Sequence, residues 1–401
     1  MKCRFLVCLL GLSLCGLLAC SSRSTTTTGT GTGALWYATQ GDSSLWAYTV
    51  TLSSGGLSQI GSPLQTGGAP FTIALTPALD TLFVDNSASD TISVYSVGSG
   101  GGLTAGSATA KTGAVPMGMA VDPAGKFLFV ANQGSFNLTK AGAQPGSISV
   151  FSISGTTLAP VKGSPFKTEL PGDANGTGPV AVVVSASGKF LYVSNTFTGT
   201  VSGFKIGSSG ALTPFPTPPY IVGIAPAGMA ITPGGAFLYV ANSSPISNNV
   251  SAFMICDAVV NSCANPNKPD GTLTPVAGSP FGAGLGPVAI AVDPSFHFLY
   301  VINKQSNEIS EYSYGTGTGV LSQLSTPTVS TGHTPTSLVI ISGTIGSNVG
   351  NTLTNPTDFV YVTNLGDSTL SAYTLNTTTG VLDVLGQAIT TTVNPSAIAA
   401  N

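Results

Sequence analysis

Charged side chains are scarce in this sequence. Asp, Glu, Lys and Arg together make up 7% of the 401 residues, against about 25% in a typical globular chain. Arginine occurs only at Arg4 and Arg23. Proteins bind nucleic-acid phosphates with clusters of Arg and Lys. The composition therefore excludes a nucleic-acid-binding surface.

Long apolar runs are also missing after the first twenty residues. No later stretch approaches the roughly 18 apolar residues that a membrane-spanning helix needs. The chain is instead rich in turn-forming residues, with 51 Gly and 27 Pro, and in small and β-branched residues. This composition favours short strands joined by tight turns.

The first nineteen residues have the pattern of an export signal. Lys2 and Arg4 precede the mostly apolar run 5–19, and Cys20 follows that run directly. A charged start, a short apolar run and a small-residue cleavage site are typical of signal peptides. The segment LLAC at 17–20 resembles a bacterial lipoprotein lipobox. The resemblance implies cleavage before Cys20, lipid attachment to that residue, and a Ser/Thr/Gly-rich tether over 20–33. The alternative is an ordinary secretory signal.

If the chain is exported in this way, we expect it in the bacterial cell envelope, where only the lipid would hold it to a membrane. Ser21 after the cysteine favours the outer membrane if the cell is Gram-negative. Besides Cys20, the exported chain has Cys256 and Cys263. In an exported protein two cysteines so close favour a disulfide that closes a local loop; a metal site and free thiols are the alternatives. The sequence contains no motif for a cofactor or a metal, and we expect a monomer.

One pattern repeats through residues 34–401. It consists of a proline, an apolar run, a turn, an aromatic–aliphatic run ending in Asn, a polar turn, an alternating run and a last short strand. The anchor prolines are Pro70, Pro116, Pro179, Pro226, Pro287, Pro335 and Pro395. A repeat of forty-odd residues with four short strands is the period of a propeller blade.

The two ends of the repeat region complement one another. Residues 35–64 have the second to fourth strands of a unit, and residues 394–401 have only a first strand. The sequence therefore predicts an all-β fold, a seven-bladed β-propeller with four antiparallel strands per blade. The strand near the end of the chain closes the ring by joining the three strands near its start.

The asparagines that end the aromatic–aliphatic runs are predicted to be turn residues. Asn tolerates tight-turn backbone conformations and bonds its own turn backbone. These closing asparagines are Asn86, Asn132, Asn195, Asn242, Asn303 and Asn364.

The recurring YVAN, YVSN and YVTN runs resemble the YVTN β-propeller family, which includes lactonase-like propellers related to 6-phosphogluconolactonase. The lactonase members carry a segment close to G-P-R-H-x-x-F-H-P, followed by Y-V-x-N-E. The matching stretch is 286–305, where Val288, Ala289, Asp293 and Lys304 stand at the Arg, His, His and Glu positions. The resemblance implies the fold and, through these replacements, the loss of the lactonase site.

Few other residues offer catalytic chemistry. His333 lies in the loop before a first strand and, with Asp367, is the candidate for a replacement site; His297 is expected to be a solvated turn residue. Asp122 and Asp293 recur at hairpin turns, Glu308 is expected in a loop, and Glu311 on a strand surface.

Two functions follow as alternatives. One is a non-catalytic, lipid-anchored binding or scaffold protein. Its protein or glycan partner would contact the long loops 133–147, 167–178, 254–271 and 343–358. The other is a divergent extracytoplasmic lactonase that uses His333 and Asp367.

Overall fold

The computed structural model describes residues 31–106, 109–134, 143–168, 176–257, 270–294, 297–343 and 357–401. Residues 1–30, which include the predicted signal segment and Cys20, lie outside these ranges, as do Cys263 and most of the four long loops. Within the described residues every regular element is a β-strand. No helix among them is long and apolar enough to cross a membrane.

Seven antiparallel sheets form the fold, and we number the blades 1 to 7 from the one that begins at Pro70. The first strands are β5 Pro70–Leu75, β10 Pro116–Val121, β15 Pro179–Val184, β20 Pro226–Ile231, β25 Pro287–Val292, β29 Pro335–Ile341 and β34 Pro395–Ala400. The second strands are β6 Thr81–Asn86, β11 Phe127–Asn132, β16 Phe190–Asn195, β21 Phe237–Asn242, β26 Phe298–Asn303, β30 Thr357–Asn364 and β1 Thr32–Thr39. The third strands are β7 Thr91–Val97, β12 Ser147–Ser154, β17 Thr200–Ile206, β22 Asn249–Ile255, β27 Glu308–Tyr314, β31 Thr369–Asn376 and β2 Ser44–Thr51.

The fourth, outer strand is divided in six blades. The pairs of short strands are β8 Leu103–Ala105 and β9 Ala110–Lys111, β13 Thr157–Pro160 and β14 Phe166–Lys167, β18 Leu212–Pro214 and β19 Tyr220–Ile221, β23 Leu273–Pro275 and β24 Phe281–Gly282, β32 Leu382–Val384 and β33 Ile389–Thr390, and β3 Gly56–Gln59 and β4 Leu64–Gln65. Blade 5 has the single strand β28 Leu321–Ser330, which also changes register. The sequence Gly-Ser-Pro, at 61–63, 163–165 and 278–280, lies in the break between the two halves of three outer strands.

The ring closes as predicted. β34 pairs with β1 antiparallel, from Leu35 opposite Ala400 to Thr39 opposite Pro395. Each first strand also contacts the first strand of the next blade, all the way round from β34 through β5 and back. The first described strand begins at Thr32, two residues before the predicted start of the domain.

The core lies between the blades. On each second strand, alternate side chains enter the two neighbouring interfaces: Leu191 and Val193 pack toward blade 2, whereas Phe190 and Tyr192 pack toward blade 4. Both faces of every sheet are buried in this way, which is why the strands are apolar on both faces.

One contact recurs between blades and joins an aromatic residue to a glycine. The aromatic residue at the third position of the F-x-Y-V run donates a hydrogen bond to the carbonyl of a left-handed glycine in the outer turn of the next blade. The pairs are Tyr192 and Gly271 (2.7 Å), Tyr239 and Gly319 (2.9 Å), Tyr300 and Gly380 (2.6 Å), Tyr361 and Gly55 (2.5 Å), and Trp36 and Gly101 (2.8 Å). We call this contact the aromatic–glycine latch.

In blades 3 to 6 the first aromatic of the same run packs on the same glycine. At Gly319, a Cβ would come within 2.5 Å of the Phe237 ring, and the residue has φ +72°. Only glycine accepts this conformation without strain and leaves room for the ring.

A second set of hydrogen bonds runs in the opposite direction around the ring. Here a buried tyrosine of the third strand donates to an outer-strand carbonyl of the preceding blade. The pairs are Tyr95 and Gln65 (2.6 Å), Tyr312 and Gly282 (2.6 Å), and Tyr373 and Ser330 (2.7 Å).

The closing asparagines differ from the prediction. All six are fully buried at the ends of second strands, and none has the left-handed backbone of a tight turn. Their amide groups donate to Ser, Thr or Asn side chains of the third strand, as Asn86 does to Thr91 and Ser93, both at 3.1 Å. The left-handed turn residue comes later, for example at Asp90 and Asn307. In each of these blades the asparagine is therefore a buried residue that joins the second strand to the third through its side-chain amide.

Two strand carboxylates have no exposed surface at all. Asp85 in β6 and Glu311 in β27 are both fully shielded from solvent. Glu311 was expected on a strand surface, and Glu308, expected in a loop, begins β27. Burial raises the pKa of Asp85 to about 7, and burial together with the nearby Asp383 carboxylate raises that of Glu311 to about 7.

The latch can be tested with two alanines in one turn. Gly319→Ala should lower the free energy of unfolding by at least about 2 kcal/mol, because the left-handed backbone costs roughly 1–2 kcal/mol and the methyl group meets the Phe237 ring. Gly317→Ala, in the same turn, meets nothing within 4 Å and should change stability little. Denaturant unfolding of both variants measures the difference; equal stabilities would contradict the role assigned to the latch.

The buried carboxylates predict a fall in stability as the pH rises. The folded-state pKa values of Asp85 and Glu311 lie above those of the unfolded chain, so the folded protein binds more protons between about pH 4 and pH 7. The stabilising effect of their protonation is complete below that window and is lost through it. Thermal unfolding of the wild type should therefore show a larger decrease from pH 5 to pH 8 than that of the Asp85→Asn, Glu311→Gln double variant. Parallel pH profiles would show that neither group is coupled to folding.

Candidate functional site

The first strands surround a central channel, and the loops that lead into them form one face of the ring. We call this the proline face, because each loop ends at an anchor proline; the opposite side, with the first-to-second-strand turns, is the turn face. The residue before each of these prolines has a left-handed backbone. These residues are Ala69, Val115, Gly178, Ala225, Gly286, Thr334 and Asn394.

The positions that match the lactonase segment lie at two ends of one strand. Val288 and Ala289 are half-buried at the start of β25, at the proline-face mouth of the channel, and Asp293 follows the end of the strand. Five residues of extended chain span about 16 Å. Val288 and Asp293 therefore do not share a site.

The surroundings of Val288 and Ala289 leave little room. A Cβ on Gly228 of the neighbouring first strand would lie 2.6 Å from the Val288 carbonyl oxygen and 2.9 Å from the Ala289 Cα. Lys304 uses its backbone N–H to bond the Gly286 carbonyl at 2.8 Å. At the two positions where the resemblance implies an Arg-His pair, Val288 and Ala289 carry no ionisable group.

Asp293 has a structural role. It is fully buried, and its carboxylate accepts hydrogen bonds from the backbone N–H groups of His297 (3.0 Å) and Phe298 (2.8 Å). Asp122 does the same in blade 2, with Lys126 and Phe127. The prediction that both aspartates shape their hairpins is confirmed, and His297 is exposed in its turn.

His333 and Asp367 do come together on the proline face. The contact runs through the backbone, because the N–H of His333 donates to Asp367 Oδ2 at 2.6 Å. The imidazole itself lies beside Asn307, with 3.5 Å between His333 Nδ1 and Asn307 Nδ2. Asn307 Oδ1 in turn accepts from the N–H of Thr334 at 2.8 Å. Both His333 and Asp367 are exposed.

Equivalent contacts elsewhere in the ring explain this arrangement. The loop N–H groups of Gly68, Ile224 and Leu285 donate to serines at the position of Asp367: Ser89 (2.7 Å), Ser247 (2.9 Å) and Ser306 (3.0 Å). The role of Asn307 is shared by Asp90, Asn248 and Ser368, each bonded to a loop N–H of the following blade. Asp367 and Asn307 thus hold the loops, and the Asp367 oxygen that contacts residue 333 is occupied by its backbone.

A carboxylate that the sequence analysis passed over lies near the start of β5. Asp85 accepts hydrogen bonds from the N–H groups of Phe71 (3.2 Å) and Thr72 (2.5 Å), and from the Thr72 hydroxyl (2.9 Å). The other blades have Ala38, Ala131, Ser194, Ala241, Ile302 and Thr363 at this position. Aligning the repeats would have shown Asp85 to be the one acidic residue in the column. Its hydrogen bonds tie β5 to β6.

Further in, the channel is apolar. Near the turn face it contains a cavity of about 330 Å³, lined by side chains from all seven first strands and by two turn threonines, Thr76 and Thr232. Its lining includes no ionisable side chain. In the described part of the chain no group of His, Cys, Asp and Glu could hold a metal ion. Cys256 is buried after β22, and its pairing with Cys263 stays a prediction because Cys263 lies outside the described residues.

Comparison with solved structures finds propellers of the same architecture. The periplasmic gluconolactonase of Pseudomonas aeruginosa superposes with a TM-score of 0.70 at 18% identity, covering 92% of this chain and 99% of its own. A candidate 6-phosphogluconolactonase from Bacteroides fragilis gives a TM-score of 0.68 at 18% identity, covering 94% of this chain and 100% of its own. At this identity the similarity establishes the fold alone. Among curated proteins there is no significant match.

The family described as "Lactonase, 7-bladed beta-propeller" matches residues 68–147, 144–259 and 263–401. These matches cover most of the chain and all six complete blades. The repeat phrases that first suggested a YVTN-type propeller, the closed ring of seven sheets and the family match agree. The chain belongs to the seven-bladed lactonase β-propeller family.

Proposed function

We propose that this propeller is a non-catalytic binding protein that has lost the lactonase chemistry of its family. The observation that carries the proposal is the apolar replacement of the site, with Val288 and Ala289 at the mouth of β25. Lactone hydrolysis needs a base to activate water and a donor to stabilise the oxyanion. The side chains of Val288 and Ala289 can neither act as a base nor donate a hydrogen bond to an oxyanion.

The substrate class of the relatives also argues against hydrolysis. A phosphorylated or carboxylated lactone calls for a cationic group, and Arg is the side chain best suited to bidentate recognition of such anions. After Arg23 the sequence contains no arginine. An anionic sugar lactone would therefore find no guanidinium in this propeller.

Apolar side chains on the proline face suggest where a partner binds. Ile224, Ile246 and Leu285 are 53%, 81% and 52% exposed. Their loops are joined by hydrogen bonds, including that from the Gly286 N–H to Asn248 Oδ1 at 2.9 Å. The cores of protein interfaces are apolar and poor in charge. This surface, which we call the isoleucine patch, supports a protein partner over a glycan; the long loops named above would extend the contact.

A lactonase is the second candidate. Family membership and the similarity to a gluconolactonase favour it, and His333 is an exposed imidazole at the proline face. The contacts of Asp367 weaken it, because a catalytic imidazole needs a partner that fixes its ring.

A lactone-hydrolysis assay distinguishes the binding protein from the lactonase. We expect the purified protein to hydrolyse a panel of neutral and anionic sugar lactones no faster than buffer, as measured by acid release at constant pH. His333→Ala and Asp367→Asn should have the same rates as the wild type. Hydrolysis by the wild type that His333→Ala abolishes would overturn the proposal.

The isoleucine patch can be tested by crosslinking on isolated cell envelopes. Ile246→Asp with Leu285→Asp should abolish a specific crosslinked product, because two buried carboxylates would be introduced into an apolar interface. Val384→Asp replaces a residue that is 64% exposed on an outer strand and should leave that product unchanged. Loss in both variants, or in neither, would contradict a contact through the patch.

We also propose that the chain is exported and held in the envelope by a lipid on Cys20. The proposal is supported by the signal-like residues 1–19 and the LLAC segment. The intact protein should incorporate a labelled fatty acid and sediment with membranes, whereas Cys20→Ser should do neither. A labelled Cys20→Ser protein would refute attachment at this residue.

A further inference from the structure

The cavity near the turn face, at the other end of the channel from the isoleucine patch, has the properties of a ligand site. Its volume of about 330 Å³ lies at the small end of the range of about 300–1,000 Å³ for small-molecule sites. It is formed by the later residues of the first strands, such as Val183, Ile231 and Ala399, and by turn residues that follow them.

The side chains of the lining are mostly aliphatic. Val, Ile, Leu and Ala side chains provide most of it, and Met119 and Met229 add flexible thioethers that adapt to ligand shape. There is no aromatic ring in the lining on which a sugar could stack. Because apolar cavities tend to stay dry and take up apolar guests, an aliphatic group is the natural occupant.

The two threonine hydroxyls of the lining hydrogen-bond to their own turns. Thr76 Oγ1 donates to Asp80 Oδ1 at 2.7 Å and accepts from the Thr81 N–H at 3.1 Å. Thr232 Oγ1 accepts from the Phe237 N–H at 3.1 Å. No charged side chain lies in this lining to bind a polar or ionic ligand group.

A strained residue stands in the wall of the same cavity. Leu79 has a left-handed backbone with φ +57°, at the turn position where blades 2 to 4 have Gly125, Gly188 and Gly235. Residues with a Cβ seldom adopt this conformation, because the Cβ then lies too close to the following carbonyl oxygen. Residues held in such conformations cluster at functional sites, and here the strained side chain contributes apolar wall.

We propose that this cavity binds the aliphatic chain of a free, single-chain amphiphile, with its polar end toward the turn face. The site is independent of the proposed function on the proline face. A two-chain membrane lipid is excluded as occupant by the volume. Leu79 closes part of the wall, which explains why a leucine occupies a glycine position.

The test uses linear alcohols from hexanol to decanol and isothermal titration calorimetry with the whole protein. The affinity should rise about fourfold for each added methylene, as expected for its burial, until the cavity is full. Ala399→Leu should weaken octanol binding at least tenfold by filling the cavity. Ala124→Leu, the same change at an exposed turn residue, should not affect it.

A second variant keeps the proposal testable if Ala399→Leu does not fold. Leu79→Gly suits the left-handed backbone and should fold normally, while octanol binding weakens at least threefold. Absence of binding, an affinity that does not depend on chain length, or wild-type affinity in the variants that fold would overturn the proposal. Competition by phosphatidylcholine vesicles, after correction for partitioning of the alcohol, would also overturn it in favour of a membrane lipid.

Discussion

The contact between an aromatic side chain and the left-handed glycine of the next blade joins five of the seven pairs of neighbouring blades and fixes how they pack. Each latch combines a buried ring, a carbonyl acceptor and a backbone conformation that only glycine adopts cheaply. The aromatic residue and the glycine belong to different repeats. An aromatic donor in one blade therefore requires a glycine in the outer turn of the next. This accounts for the F-x-Y-V runs of blades 3 to 6. Trp36 supplies the donor in blade 7, where the strands come from both ends of the domain.

The polar residues of the proline face are committed to holding the loops. Side chains such as Ser89, Asp90, Asn307 and Asp367 accept hydrogen bonds from loop N–H groups that the sheets leave unpaired. Buried and half-buried N–H groups must find such partners. The same residue types would suit a catalytic site, but here the repeat accounts for their positions. The apolar channel and the exposed isoleucines are the features that the repeat does not require.

Much of the fold follows from periodicity. The anchor prolines set the number of blades, and the incomplete units at the two ends predict the closing strand; alternation along 190–193 predicts which side chains share an interface. Periodicity does not say which atoms meet across an interface. For that reason the turn role predicted for Asn364 and the surface position predicted for Glu311 are both wrong. The burial of Glu311 depends on the blade packed against it, whose Leu382 N–H bonds its carboxylate. The sequence predicts that His333 and Asp367 lie close together. It does not predict that the contact is made by the backbone N–H of His333 and not by its imidazole.

The pairing of β34 with β1 has a consequence for the order of events in the cell. Residues 395–400 leave the ribosome after all the other described strands, yet they complete the sheet whose remaining strands are made first. Until then β1 presents an unpaired edge, and such edges invite pairing with other chains. The six intervening blades can form their own sheets during this interval, but the ring stays open. Synthesis of this chain therefore leaves a period in which a chaperone, or rapid closure of the ring, has to keep the β1 edge from pairing with other chains.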